Sequence, residues 1–145
     1  MPPVCGDSNY YFCKGVCDLE NSNKPHIVAI DDSIFVCETL STWLKGKYDI
    51  ITFTNGKDGL SYLENADADL VFLDYEMPDM TGYQVLMGIR SNLKINKIPV
   101  IFLTAETNDR MEAEMLERGA NHYIRKPLEL SVLNSALANH LRKKI

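Results

Sequence analysis

Five side chains of this 145-residue sequence could do chemistry together if the fold gathered them: Asp31, Asp32, Asp74, Thr104 and Lys126. Each stands at or just past the end of a short, mostly apolar run: Ile-Val-Ala-Ile before Asp31-Asp32, Leu-Val-Phe-Leu before Asp74, Ile-Phe-Leu before Thr104, Tyr-Ile-Arg before Lys126. Three clustered carboxylates repel one another and raise at least one pKa unless a cation neutralises them. Mg2+ suits such a cluster, because it accepts a few carboxylates, keeps several waters and takes phosphate oxygens as remaining ligands. No cysteine or histidine stands at these run ends, which disfavours zinc. A phosphoryl group carried on a carboxylate needs a nucleophilic oxygen, a metal, a lysine and a hydroxyl donor, and these five residues offer the oxygen, the lysine, the hydroxyl and further carboxylates able to hold the metal. Singly, each residue has a plainer reading: Asp32 or Ser33 could cap a helix, Lys126 could neutralise a carboxylate, and Thr104 could be a cap. Their combination is what carries the chemistry.

The elements that must position them follow from the alternation of run types. Strand-like runs at residues 27–30, 50–54, 70–73, 99–103 and 122–124 alternate with helical candidates at 33–45, 57–64, 82–90, 108–118 and 129–143. Three of the strand runs are nearly continuous in apolar residues, as expected of strands covered on both faces. Val36, Leu40, Trp43 and Leu44 form an apolar stripe on the first helix and Leu130, Leu133, Leu137 and Leu141 one on the last, which assigns Trp43 to the core. Gly46 and Gly119 sit where left-handed residues would stop their helices. Five βα units with short right-handed crossovers predict an α/β fold: a doubly wound, flavodoxin-like parallel sheet of order 2-1-3-4-5 with five helices. Its binding crevice opens beyond the carboxyl ends of strands 1 and 3, where Asp31, Asp32 and Asp74 lie.

Bulk properties bound the rest. With 46% hydrophobic and 24% charged residues the chain is an ordinary globular sequence, and its net charge of −5 gives no encouragement to nucleic-acid or membrane binding. No apolar run reaches the roughly 18 residues of a membrane span and no basic-then-apolar leader is visible, so the expected compartment is the cytoplasm. Residues 1–24 carry small polar residues and no sustained period and are read as a tail and linker, with the folded unit at 25–145. Of the four cysteines, Cys5, Cys13 and Cys17 crowd this tail and Cys37 falls on the first helix. Together they could supply four thiolates to a metal or redox site, yet their spacing does not match the paired C-x2-C arrangement, and the competing reading is a plain tail.

Four stretches taken together resemble the receiver domains of two-component response regulators, the CheY-like family: Ile-Val-Ala-Ile-Asp31-Asp32-Ser33, Leu-Val-Phe-Leu-Asp74-Tyr-Glu-Met-Pro78-Asp-Met-Thr-Gly82, Val-Ile-Phe-Leu-Thr104-Ala105-Glu, and Gly-Ala-Asn-His-Tyr123-Ile-Arg-Lys126-Pro127. The resemblance implies that Asp74 accepts a phosphoryl group and that Asp31, Asp32, Asp74 and the main-chain carbonyl of Glu76 hold Mg2+. It also implies that Thr104 and Lys126 contact the phosphoryl group, that Tyr123 is a switch aromatic moving with Thr104, and that the Lys126-Pro127 bond is cis. The partners implied are a sensor histidine kinase or phosphotransfer protein on one side and an output domain or protein on the other. Neither nucleic acid nor membrane is an expected partner, and a phosphorylation-dependent dimer is compatible with the pattern. The chain would be a signalling domain that assists its own phosphorylation and dephosphorylation, not an enzyme turning over an external substrate.

Competing readings are weaker. An aspartyl-phosphate phosphatase of the haloacid dehalogenase type would carry an Asp-x-Asp pair on its first strand, whereas here Asp74 is followed by Tyr75 and Glu76 on the third. A flavodoxin would need a hydroxyl- and glycine-rich phosphate loop where Asp31-Asp32 would repel the phosphate. A degenerate receiver acting as a scaffold usually lacks one of the pocket residues, and this sequence has them all.

Overall fold

The computed structural model describes residues 24–105 and 108–141. Five strands, β1 (His26–Ile30), β2 (Asp49–Phe53), β3 (Leu70–Asp74), β4 (Val100–Thr104) and β5 (His122–Arg125), alternate with five helices. These are α1 (Ile34–Leu44), α2 (Gly56–Glu64), α3 (Gly82–Ser91), α4 (Asp109–Glu117) and α5 (Leu130–His140). Every strand pairing is parallel and the order is β2-β1-β3-β4-β5, the predicted topology. Expected and observed element bounds differ by one or two residues at most described ends, where strand pairing and caps decide.

β3 and β4 are buried at every position, and β1 at all but its first residue, because helices cover both faces. On one side Val28, Ile30, Val71, Leu73 and Phe102 pack against Leu63 of α2, Val85, Leu86 and Ile89 of α3 and Met115 of α4. On the other, Ile27, Ala29, Phe72 and Leu103 meet Leu40 and Leu44 of α1 and Leu133, Ala136 and Leu137 of α5. The short crossovers are closed by side-chain caps: Ser33, Asn55, Thr81 and Asn108 each accept an amide of the helix that follows, and Thr81 forms a reciprocal capping box with Gln84.

Three expectations are corrected. Gly119 does adopt a left-handed conformation, with φ +118°, but Gly46 does not: α1 ends through Lys45 in a right-handed helical conformation, and Gly46 lies beyond it with open space where a Cβ would be. Trp43 is 37% exposed, because the buried stripe of α1 centres on Cys37, Leu40 and Leu44. At 100° per residue Trp43 points about 120° away from Cys37. Leu130, in the first turn of α5, is likewise exposed at 41% while Leu133 and Leu137 are buried.

Candidate functional site

Asp31 continues the line of β1, its amide donating to the Phe53 carbonyl at 3.0 Å, and Asp74 is the last residue of β3. Because β1 and β3 are neighbours with reversed crossovers on either side, their carboxyl ends open into one crevice. There Asp31, Asp32 and Asp74 each offer a carboxylate oxygen within 4.8 Å of the others. Asp31 is fully buried, Asp74 nearly so, and Asp32 exposed. Ser33 fixes the first of them locally: its amide donates to Asp31 Oδ1 at 2.9 Å while its own hydroxyl caps α1.

The cation comes from the opposite edge. β5 ends at Arg125, and the Lys126 amide donates to the Thr104 carbonyl at 2.8 Å, aiming the lysine across β4. Lys126 Nζ lies 2.9 Å from Asp31 Oδ2 and 3.3 Å from Asp74 Oδ1. The bond that follows it, Lys126-Pro127, is cis. Thr104 ends β4, buried at the pocket rim. Thr104 and Tyr123 face the same side of the sheet as diagonal neighbours, since Phe102 pairs with Tyr123 and Thr104 with Arg125. Tyr123 is half-buried against the α2–α3–α4 side of the core, and its contact with Glu112 raises its pKa.

One ammonium does not neutralise three carboxylates. Burial, then repulsion from Asp31 and the proximity of Asp32, push the Asp74 carboxyl up to about 7 against the opposing pull of Lys126. Burial would lower the pKa of Lys126, but the hydrogen bond and charge of Asp31, joined by Asp74, raise it, so the ammonium stays charged. Asp31 Oδ2 is buried, with the Lys126 ammonium 2.9 Å away as its ion-pair partner. A set of hard carboxylate oxygens carrying more negative charge than one ammonium offsets is what a divalent cation would complete.

The turn leaving Asp74 is tightly built. Gly82 donates its amide to the Tyr75 carbonyl at 2.9 Å, and a Cβ at Gly82 would collide with the Asp74 carbonyl oxygen and come within 2.9 Å of the Phe102 ring. Beside the pocket, Phe35, Val36, Thr39, Trp43, Pro127 and Leu128 line a mostly apolar groove of about 790 Å³ between α1 and the β5–α5 connection, with Lys126 in its wall. Ile34 and Phe35 directly follow Asp31-Asp32-Ser33, and of the two Phe35 lines this groove. These are large apolar residues off the helix's buried stripe, 64% and 76% exposed. Cys37 is buried and donates its thiol to the Asp31 carbonyl at 3.3 Å; burial, then Asp31, push its pKa up to about 11, so it is a protonated core thiol. Cys5, Cys13 and Cys17 lie outside the described residues.

An open parallel sheet with acidic groups, a hydroxyl-bearing residue and a lysine at its switch point defines a signalling receiver. The response regulator receiver domain family matches residues 27–138, and the chain belongs to that family. It is 32% identical over 123 residues to the two-component response regulator ORR3 of Oryza sativa, covering 83% of this chain and 93% of that protein. It is 36% identical over 126 residues to a probable cyclic di-GMP phosphodiesterase of Vibrio cholerae, covering 87% of this chain but 29% of that longer protein. The structure of the V. cholerae chemotaxis protein CheY4 superposes with a TM-score of 0.77 at 28% identity, covering 81% of this chain and 99% of that one. Among the described residues no helix is long and apolar enough to cross a membrane.

Proposed function

We propose that Asp74 is the phosphoacceptor of this receiver domain and that Asp31, Asp32, Asp74 and the Glu76 main-chain carbonyl hold Mg2+. The observation that carries the reading is the convergence of three carboxylates on one crevice with Lys126 spanning Asp31 and Asp74. When bound, Mg2+ supplies charge neutralisation between the carboxylates and the phosphoryl oxygens. The side chains do the rest. An Asp74 oxygen attacks the phosphorus of a phosphohistidine or an acyl phosphate; the bond from phosphorus to the donor's nitrogen or oxygen breaks, and the leaving group takes its electron pair. Lys126 moves from neutralising Asp74 to holding a phosphoryl oxygen, and the Thr104 hydroxyl donates to another.

The diagonal placement of Thr104 and Tyr123 on one side of the sheet supports a route for switching. A phosphoryl group that draws Thr104 toward Asp74 opens the diagonal position into which Tyr123 turns, reshaping the face of α4, β5 and α5 that an output domain or protein reads; the shift in population is set by how much the phosphoryl group favours that state. The donor is a sensor histidine kinase or a phosphotransfer protein, docking an apolar helix into the groove of Phe35, Trp43 and Leu128 so that its histidine reaches the crevice. The working unit is residues 25–145, preceded by a tail, in a cytoplasmic protein that assists its own phosphorylation and hydrolysis.

The test is intact-mass spectrometry after acetyl phosphate treatment with and without Mg2+. The expected result is one phosphoryl group per chain only with Mg2+, and none on Asp74→Asn. An acid-stable, base-labile adduct on Asp74→Asn would overturn the assignment.

A further inference from the structure

We infer that Asp79 is a positioning residue for the phosphorylation site, pinning the turn that leaves Asp74 onto the amino end of α2; the inference rests on the Mg2+ site proposed above. Asp79 lies in the turn between β3 and α3. Its two carboxylate oxygens accept, one each, the amides of Gly56 at 3.2 Å and Lys57 at 3.1 Å. The first amides of a helix have no carbonyl partner within it. In α2 this duty is divided: Asn55, the local cap, takes the Asp58 amide at 2.8 Å, and Asp79 reaches across from a separate segment to take the two that Asn55 leaves. A carboxylate at a helix amino end makes charge-assisted bonds and gains from the helix dipole. Burial raises the Asp79 carboxyl, but the amides of Gly56 and Lys57, joined by those of Asp79 and Met80, hold it below the usual range.

The docking is close as well as polar. A Cβ on Gly56 would come within 2.7 Å of Met80 Cγ and 2.9 Å of Val85 Cγ2, so the backbone of α2 lies flush against the turn. At its other end the turn is closed by the Gly82 amide on the Tyr75 carbonyl, and between the two pins Met77 is buried. Glu76 and Pro78 are exposed and lie on the span that these pins hold. A main-chain carbonyl has no rotamer of its own; its direction is set by where the chain is held. Asp79 therefore fixes the direction of the Glu76 carbonyl through the backbone, as partners beyond a metal's own ligands orient those ligands.

Isothermal titration with MgCl2 tests this on the full chain, its Asp79→Ala and Asp79→Asn variants, and Asn55→Ala, alongside acetyl phosphate uptake followed over a range of Mg2+. Asp79→Ala is expected to weaken Mg2+ binding about 10-fold. Its uptake rate should return to the wild-type value at saturating Mg2+, and Asp79→Asn, which keeps one acceptor, should fall between. Asn55→Ala removes the local cap and should lower the melting temperature while leaving Mg2+ affinity unchanged. Equal Mg2+ affinity in wild type, Asp79→Ala and Asp79→Asn would overturn the inference, as would an equal loss in Asn55→Ala. If Asp79→Ala fails to fold, the Asp79→Asn titration decides alone. A wild-type chain that takes up no Mg2+ would overturn the metal site and this inference together, a result distinct from an indifferent Asp79.

Discussion

The two ends of the sheet treat charge in opposite ways. At the amino end, His26 and Asp69 bond reciprocally, the His26 amide to the carboxylate at 2.8 Å and the Asp69 amide to the His26 carbonyl at 2.7 Å. The His26 ring meets the Asp49 carbonyl at 2.9 Å and the Tyr62 hydroxyl at 2.7 Å. Nearby, Arg90 spends its guanidinium on the carbonyls of Gly119, Asn96 and Ile98 and on Asn121 Oδ1, tying α3 to the starts of β4 and β5. At the carboxyl end three carboxylates face one lysine, and Asp74 is pushed to about 7. Satisfied polar networks rigidify a fold, whereas an unresolved charge excess is kept where a ligand will resolve it. The amino end holds the strands whose carboxyl ends carry the excess of negative charge.

The contrast predicts opposite signs for charge removal. Arg90→Ala should have the largest effect: it strips half-buried carbonyls of their donor, and chemical denaturation should show a loss of about 3 kcal/mol with Mg2+ affinity unchanged. A stable Arg90→Ala protein would dissolve the distinction between the ends. Asp74→Asn should instead stabilise the metal-free domain, by on the order of 2 kcal/mol at pH 8. The sign is fixed by linkage: a carboxyl whose folded pKa lies near 7, above its unfolded value, binds its proton more tightly when folded. Its contribution is therefore full below the unfolded pKa and is lost as pH rises through about 7. Denaturation in EDTA between pH 4 and 8 should show wild-type stability falling along that window and a flatter profile for Asp74→Asn. Tyr62→Phe, removing one hydroxyl from the amino-end network, should cost about 1 kcal/mol with no change in acetyl phosphate uptake; slowed uptake would mean that the two ends communicate.

Much of the fold and the pocket was legible in the sequence because both rest on short-range signals. Apolar runs of strand length ending in acidic or hydroxyl residues reveal strands and what stands at their carboxyl ends, and the switch-point rule brings Asp31, Asp32 and Asp74 together without coordinates. Three-dimensional partners were less legible. Trp43 matched the apolar period of α1, yet the burying surface is set by where that helix rolls on the sheet, centred on Cys37, Leu40 and Leu44. Asp79 drew no expectation, and its acceptance of two amides from α2 depends on a packing distance that no local pattern encodes. Arg90 sat in the last turn of a helix, where a cation favours the dipole, with nothing to reveal its multiple carbonyl partners.

The exposure of Trp43 on the groove wall has an optical consequence. It is the only indole in the chain, so tryptophan emission reports from one place. A helix settling between α1 and Leu128 would move that indole out of water and shift its emission to shorter wavelength, while events confined to α4 and Tyr123 on the opposite face would leave the spectrum unmoved. If the phosphoryl donor docks in this groove as proposed, the indole is an unlabelled probe that separates its arrival from the response to it.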